Sequence, residues 1–138
     1  MKARVKLVEA MTFVAESGSG HAMVMDASPD VGGRDLGARP MEVVLMGAGG
    51  CSAIDVVHIL RKARQDLVDC VVEVEGERAA EDPKVFTRIH MHYVVTGRGL
   101  NPAQVERAIR LSKEKYCSAT IMLAKTAEVT ADFEIREA

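Results

Sequence analysis

An apolar stretch over residues 43–60 constrains this chain most, because it is long enough to cross a membrane as a helix. It also carries Ser52, Asp55, His58 and three glycines. Polar and titratable side chains within such a stretch favour a helix buried in protein over one buried in lipid. We therefore predict no contact with a membrane, and the alternating charged and apolar residues at the N-terminus predict no signal peptide.

The helix is expected to begin at Pro40, which suits a first turn because that turn does not need its N–H group, and to end near Asp66. The helix is apolar on nearly every face, except in its last turns, which carry charged residues. Other parts of the protein must therefore surround it. One small sheet cannot cover all sides. We expect a second copy of the chain to help bury the helix, with Gly47, Gly49 and Gly50 allowing another backbone to approach closely.

The part of the chain before this helix is typical of short strands. Apolar and charged residues alternate near the N-terminus, and the turn at residues 17–20 separates two further runs. These runs predict a three-stranded antiparallel meander that ends near Asp26. A loop over residues 27–39, rich in Ser, Pro, Asp and Gly, leads to the helix.

Two strands follow the apolar helix and predict a long hairpin. In the first strand Val72 and Val74 alternate with glutamates, and residues 85–96 form the second. Asn101 and Pro102 then predict the start of a helix that continues to about residue 116. Its positions at helical spacing are Val105, Ala108, Ile109 and Ser112.

A short helix over residues 118–125 and a strand over residues 129–136 complete the pattern. The predicted order is β-β-β-α-β-β-α-α-β, which is an α+β fold class. No repeat, low-complexity tract or linker interrupts the chain, so we expect residues 1–138 to form a single domain.

Charge and cysteine content exclude several classes of protein. Eighteen basic and twenty acidic side chains give a net charge of −2, without the positive excess that nucleic-acid binding requires. Three cysteines are an odd and sparse set, which argues against a secreted disulfide framework. A reduced, cytoplasmic chain with working thiols is the better interpretation.

Cys51 lies in the apolar helix, and Cys117 lies where one helix ends and the next begins. The thiolate is the nucleophile, and an ordinary thiol with a pKa near 8.5 is only about 3% ionised at pH 7. A helix terminus contributes only about 0.3–2 kcal/mol toward ionisation, whereas a cation within about 4–6 Å lowers a thiol pKa by about 1 to 3. A reactive Cys51 therefore needs an arginine, and Arg34 and Arg39 in loop 27–39 are the candidates.

Structural roles for these residues stay open, because buried cysteines often serve as small apolar fillers. Cys70 fits that interpretation best, since it lies in a strand and would share a face with Val72. Glu42 and Asp55 lie on the Cys51 helix, where each is a candidate to orient an arginine or carry a proton, or is a solvated surface acid.

Histidines offer a further alternative. His90 and His92 form an H-x-H pair on one strand face, a spacing found at metal sites, although a third ligand would be needed. His58, on the apolar helix, is better explained as a core histidine with a hydrogen-bond partner. Metal binding is therefore kept only as a third hypothesis.

Three segments resemble the OsmC/Ohr family of thiol-dependent peroxidases, and the short OsmC-like subgroup in particular. They are residues 40–45 (PMEVVL), 49–55 (GGCSAID) and 116–118 (YCS). The resemblance covers nearly the whole chain, including the order of elements. It implies an OsmC-like fold in an intertwined homodimer, with central apolar helices wrapped by antiparallel sheets and two active sites at the subunit interface.

The resemblance also implies a reaction. The Cys51 thiolate would attack an organic hydroperoxide, an alcohol would leave, and the sulfenic acid would condense with Cys117 to a disulfide. A cellular dithiol, lipoyl-type in the family, would reduce that disulfide, and no cofactor is implied. An arginine would activate Cys51, and the motif does not choose between Arg34 and Arg39.

One departure from the family pattern motivates an alternative function. The family places glutamate directly after the proline, whereas here Met41 follows Pro40 and Glu42 is displaced by one residue. A one-residue shift rotates a helical side chain by about 100°. The alternative is a non-enzymatic OsmC-like protein that binds a small molecule or a redox partner, with weak or no peroxidase turnover.

Overall fold

A computed structural model describes residues 1–138, which divide into two compact units, Met1–Val44 and Leu45–Ala138. The predicted order of elements and the α+β class are confirmed. The elements are β1 (Ala3–Glu9), β2 (Thr12–Ser17), β3 (Ala22–Asp26), a 3₁₀ turn (Pro29–Val31), α1 (Pro40–Lys62), β4 (Asp66–Arg78), β5 (Phe86–Arg98), α2 (Pro102–Leu111), a π-helix (Ser112–Tyr116), α3 (Ser118–Leu123) and β6 (Glu128–Glu137). That the whole chain behaves as one domain stays a prediction.

In the Met1–Val44 unit, β1, β2 and β3 form the predicted antiparallel meander. The buried Asp26, at the end of β3, organises the loop that follows. Its carboxylate accepts hydrogen bonds from the hydroxyl of Thr12 (3.1 Å) and from the N–H groups of Arg34 (3.2 Å) and Leu36 (3.2 Å). Burial opposes ionisation of Asp26, but these donors outweigh it, so its pKa lies below the ordinary value.

In the Leu45–Ala138 unit, β5 is the central strand of a second sheet with the order β4-β5-β6. β4 and β5 form the predicted antiparallel hairpin, but β6 runs parallel to β5. The expectation of antiparallel sheets is therefore wrong for this strand. α2, the π-helix and α3 form the connection between β5 and β6, and a crossover of this kind is what joins parallel strands.

Helix α1 ends at Lys62, four residues before the expected Asp66. Arg64 adopts a left-handed conformation (φ 57°), and its N–H group bonds to the carbonyl of Arg61 while that of Gln65 bonds to Leu60. This pair of bonds is a Schellman motif, which closes a helix. The chain then turns directly into β4, which begins at Asp66.

One face of α1 is buried, and the three glycines of this helix differ in their exposure and in the space around them. Gly49 is buried, and a Cβ atom there would lie 2.9 Å from Cγ2 of Val74 on β4. The predicted close packing is thus found at Gly49, against a side chain rather than a backbone. Gly47 and Gly50 are exposed and have open space around them.

The opposite face of α1 is apolar and exposed. Met46 is 58% exposed and Ile54 is 72% exposed. By length and composition alone the helix could cross a membrane, a test that the core helices of many proteins without a membrane span also pass. Only 28% of its most apolar window is buried within the single chain.

Candidate functional site

Cys117 is completely buried and lies between the π-helix and α3, where it caps α3. Its sulfur accepts hydrogen bonds from the hydroxyl (2.6 Å) and the N–H group (3.4 Å) of Thr120. The Cys117 N–H group bonds to the carbonyl of Ser112 (2.8 Å), so the π-helix holds this residue from the other side. The site around the Cys117 sulfur is therefore fixed by hydrogen bonds as well as by packing.

The structure brings Cys51 and Cys117 together. The Cys117 sulfur lies 4.0 Å from the carbonyl oxygen of Ala48, one turn before Cys51, and the two thiols interact directly. Burial raises the pKa of Cys117, the donors of Thr120 act in the opposite direction, and the neighbouring Cys51 adds to the rise. Cys51 is half-buried, and neither residue is in a disulfide. Cys51 is thus the more accessible thiol of the pair.

A buried chain of hydroxyl groups lies beside the thiols. The Ser52 hydroxyl lies 2.6 Å from that of Tyr93 and 2.8 Å from that of Ser112, and Ser112 donates to Oδ2 of Asp55 (3.0 Å). A carboxylate oxygen only accepts, so the donors run in one direction, from Tyr93 to Ser52, to Ser112 and to Asp55. Burial raises the pKa of Tyr93, which keeps its phenol protonated as the first donor.

No sequence motif predicted this hydroxyl chain. Ser112 did give a signal, because it occupies a core position at helical spacing after Ile109, where a hydroxyl needs a partner. Ser52 directly follows Cys51, and the Ser112 carbonyl receives the Cys117 N–H group. The Ser52–Ser112 bond therefore joins the two segments that carry the thiols.

The three other predicted site residues lie in the Met1–Val44 unit. Glu42 accepts a hydrogen bond from the N–H group of Arg39 (2.8 Å), which makes it a cap of α1. The guanidinium of Arg39 binds the carboxylate of Asp35, and that of Arg34 binds Glu9 (3.4 Å). Each guanidinium thus has a carboxylate partner within this unit, and the roles predicted for all three residues stay predictions.

His90 and His92 lie on β5 beside Asp132 of β6, to which both bond. The Asp132 carboxylate lies 3.0 Å from Nε2 of His90 and 2.7 Å from Nδ1 of His92. The hydrogen bond with Asp132 raises the pKa of His92, and the same contact lowers that of Asp132. No group of three or more His, Cys, Asp or Glu side chains in residues 1–138 has an arrangement that could hold a metal ion.

Cys70 and His58 occupy different environments. Cys70 is half-buried on β4, on the same face as Val72 and Val74, as predicted for a filler. Burial raises its pKa, and the nearby charge of Asp69 adds to this rise. His58 is exposed on α1 and has no hydrogen-bond partner, so the expectation of a buried, bonded histidine is wrong.

Comparison with known proteins identifies the family. The profile of the OsmC-like protein family matches residues 32–132, a segment that includes both thiols and both candidate arginines. The chain belongs to the OsmC-like family. Protein YhfA of Escherichia coli K12 is 53% identical to this OsmC-like chain over 135 residues, which are 98% of each sequence.

Solved structures have the same OsmC-like fold. A crystal structure of a hypothetical protein from Aquifex aeolicus VF5 is 29% identical, covers 99% of this chain and 96% of its own, and superimposes with a TM-score of 0.87. An organic hydroperoxide resistance protein OsmC from Legionella pneumophila is 17% identical, with 97% of each chain covered and a TM-score of 0.73. At that identity the second likeness supports the OsmC-like fold alone.

Proposed function

We propose that this protein is a thiol-dependent peroxidase that reduces organic hydroperoxides, with Cys51 as the attacking thiol and Cys117 as the resolving thiol. The observation that supports this proposal best is the contact between a half-buried and a completely buried thiol. A peroxide reaches the more accessible sulfur first, and the second sulfur is already adjacent. Membership of the OsmC-like family agrees with this assignment.

The proposed reaction has three steps. The Cys51 thiolate attacks one peroxide oxygen, an S–O bond forms as the O–O bond breaks, and the alkoxide leaves and is protonated to the alcohol. The Cys117 sulfur then attacks the Cys51 sulfenic acid, which forms the disulfide and releases water. An external dithiol, of the lipoyl type in its chemistry, exchanges with the disulfide, restores both thiols and becomes a disulfide itself.

The surroundings of Cys117 suit the second step. Its raised pKa keeps the Cys117 thiol protonated, so this sulfur does not compete with Cys51 for the peroxide. When that proton leaves, the two donors of Thr120 stabilise the thiolate. We further propose that an arginine, Arg34 or Arg39, stabilises the Cys51 thiolate and that Glu42 orients it, after release from the carboxylates that bind these guanidinium groups here.

Peroxide titration of the purified protein tests the assignment. One equivalent of cumene hydroperoxide is expected to remove two thiols per chain, and mass spectrometry should find Cys51 linked to Cys117. In Cys117→Ser, dimedone should trap a sulfenic acid on Cys51, while Cys70→Ser, the matched control, should behave like the wild type. If the thiols of Cys51 and Cys117 both survive a tenfold excess of peroxide, the peroxidase assignment is wrong.

We also propose that the functional unit is a homodimer in the cytoplasm. The exposed apolar face of α1, with open space at Gly47 and Gly50, supports a second copy as its cover. Light scattering at micromolar concentration should give twice the chain mass, and Ile54→Asp should give a monomer. Val85→Asp, at an exposed apolar position before β5, is the control and should remain dimeric.

A non-enzymatic binding role is the second candidate function. The observation that favours it is the capping contact of Glu42, together with the carboxylate partners of both arginines. A binding protein of this kind would form the disulfide slowly and turn over little peroxide. Rapid peroxide consumption with an excess of dithiol, abolished in Cys51→Ser, would exclude it.

A further inference from the structure

A cleft of about 540 Å³ opens on the Leu45–Ala138 unit, outside the contact between the thiols. The last turns of α1 form one wall, with Ile59 and Lys62, and α2 forms the other, with Arg107 and Leu111. Tyr116 also lines the cleft. This volume lies within the range of sites that hold small organic molecules, which is about 300–1,000 Å³.

The charges in the cleft have no partners among the side chains of this chain. Lys62 and Arg107 form no ion pair and no hydrogen bond, although acidic residues are numerous in the sequence. Lys115 does not line the cleft, but it lies over the ring of Tyr116, which does, at 5.3 Å from the centroid. The single carboxylate in the cleft, that of Asp55, is held by the Ser112 hydroxyl. The cleft therefore has an excess of positive charge.

The walls between these charges are apolar except for the exposed imidazole of His58. Ile59, Ala63 and Leu111 are partly exposed there, and Tyr116 is 51% exposed. A ligand with an apolar body would remove this surface from water, and an anionic head group would form charge-assisted hydrogen bonds with Arg107 and Lys62. Asp55 would repel the anionic end, which orients the ligand.

We propose that this cleft binds an organic carboxylate with an apolar body, such as a medium-chain fatty acid. Arg107 and Lys62 hold the carboxylate, and Ile59, Leu111 and Tyr116 contact the apolar part. The binding does not involve either thiol. It is therefore separate from the peroxidase assignment and holds whether or not Cys51 reacts with peroxides.

Titration calorimetry with decanoate tests the proposal. The wild-type protein should bind decanoate with a Kd below about 1 mM, while decanol, which lacks the charge, and acetate, which lacks the apolar body, should bind at least about fivefold more weakly. Cys51→Ser should bind decanoate as the wild type does. If Cys51→Ser binds decanoate normally and the wild type has no peroxidase activity, the proposed binding site is supported and the peroxidase assignment is rejected.

Variants locate the site. Arg107→Gln should weaken decanoate binding at least about fivefold and leave decanol binding unchanged. Lys62→Gln should have the same effect, and it replaces Arg107→Gln in the test if that variant does not fold. Arg110→Gln, an exposed arginine on α2 outside the cleft, is the matched control and should bind like the wild type. Absence of decanoate binding to the wild type, or equal effects of Arg107→Gln and Arg110→Gln, would overturn the proposal.

Discussion

The hydroxyl oxygens of Ser52 and Ser112 lie 2.8 Å apart in the core, and each belongs to a segment that carries one of the two interacting thiols. Ser52 directly follows Cys51, and the Ser112 carbonyl accepts the Cys117 N–H group. This hydrogen bond therefore joins the two segments that carry the sulfurs. This relationship makes the hydroxyl chain, and not only the cysteines, a target for mutation.

Ser112→Ala should lower the free energy of unfolding by about 1–3 kcal/mol, because it leaves the buried Ser52 hydroxyl without its acceptor and Asp55 without its donor. Urea unfolding measures the loss. Ser19→Ala, at an exposed serine in a turn, is the control and should change stability by less than about 0.5 kcal/mol. Equal effects of the two substitutions would show that the chain contributes nothing to stability.

Thr120→Val should raise the pKa of Cys117 further, because it removes the hydroxyl that donates to the Cys117 sulfur and conserves the shape of the side chain. The pH titration of the Cys117 Cβ resonance, followed by NMR in the folded protein, should move to higher pH. Thr126→Val is the control, since the Thr126 hydroxyl bonds to a backbone carbonyl at the exposed end of α3. An unchanged profile in Thr120→Val would contradict the prediction.

Gly49→Ala should be less stable than Gly47→Ala by about 1–3 kcal/mol. Both substitutions gain helix propensity, but only the methyl group at Gly49 would meet Val74, at 2.9 Å. Thermal or urea unfolding of the two variants measures this packing cost, because both gain the same helix propensity and that gain cancels when their stabilities are compared. Equal stability of the two variants would mean that α1 and β4 separate easily enough to admit a methyl group.

The pair of His92 and Asp132 should make stability depend on pH. The raised pKa of His92 means that its stabilisation is present below its ordinary value of 6.5 and is lost as the pH rises through the higher folded-state pKa. The lowered pKa of Asp132 means that its contribution is present above 3.8 and is lost as the pH falls through the lower folded-state value. The pair therefore stabilises the fold most between these two ordinary values.

Melting temperatures measured from pH 3 to pH 9 should show this maximum in the wild type. In Asp132→Asn the high-pH decline should shrink, and the His92 resonance followed by NMR should titrate at a lower pH than in the wild type. A His92 titration that Asp132→Asn does not change would refute the pairing.

Local sequence signals predicted most of the fold correctly. The turn at residues 17–20 and the Asn101–Pro102 helix start gave the right elements in the right order. The end of α1 and the direction of β6 were missed for physical reasons. Arg64 adopts a left-handed conformation without being glycine, and the direction of a strand in a sheet depends on its distant neighbours rather than on its own alternation of residues.

For the candidate site, sequence reasoning selected the two cysteines that interact. It did not find the hydroxyl chain, because those contacts join residues 41 to 60 positions apart and the partners meet only once the helices pack. It also did not find the donors of Thr120, which lies only three residues after Cys117, because cysteine is not among the residues that usually cap a helix. His58 was expected to be buried from the apolar character of its helix alone. In the single chain, however, α1 has one buried face, and His58 lies on another.

The parallel pairing of β6 with β5 has a consequence for protein synthesis. β5 finds its β4 partner locally, in a hairpin, but its other edge stays unpaired until the two helices, the π-helix and the last strand have been made. An unpaired edge on an apolar strand is a template for pairing between chains. The nascent protein is therefore expected to be most prone to aggregate just before β6 leaves the ribosome.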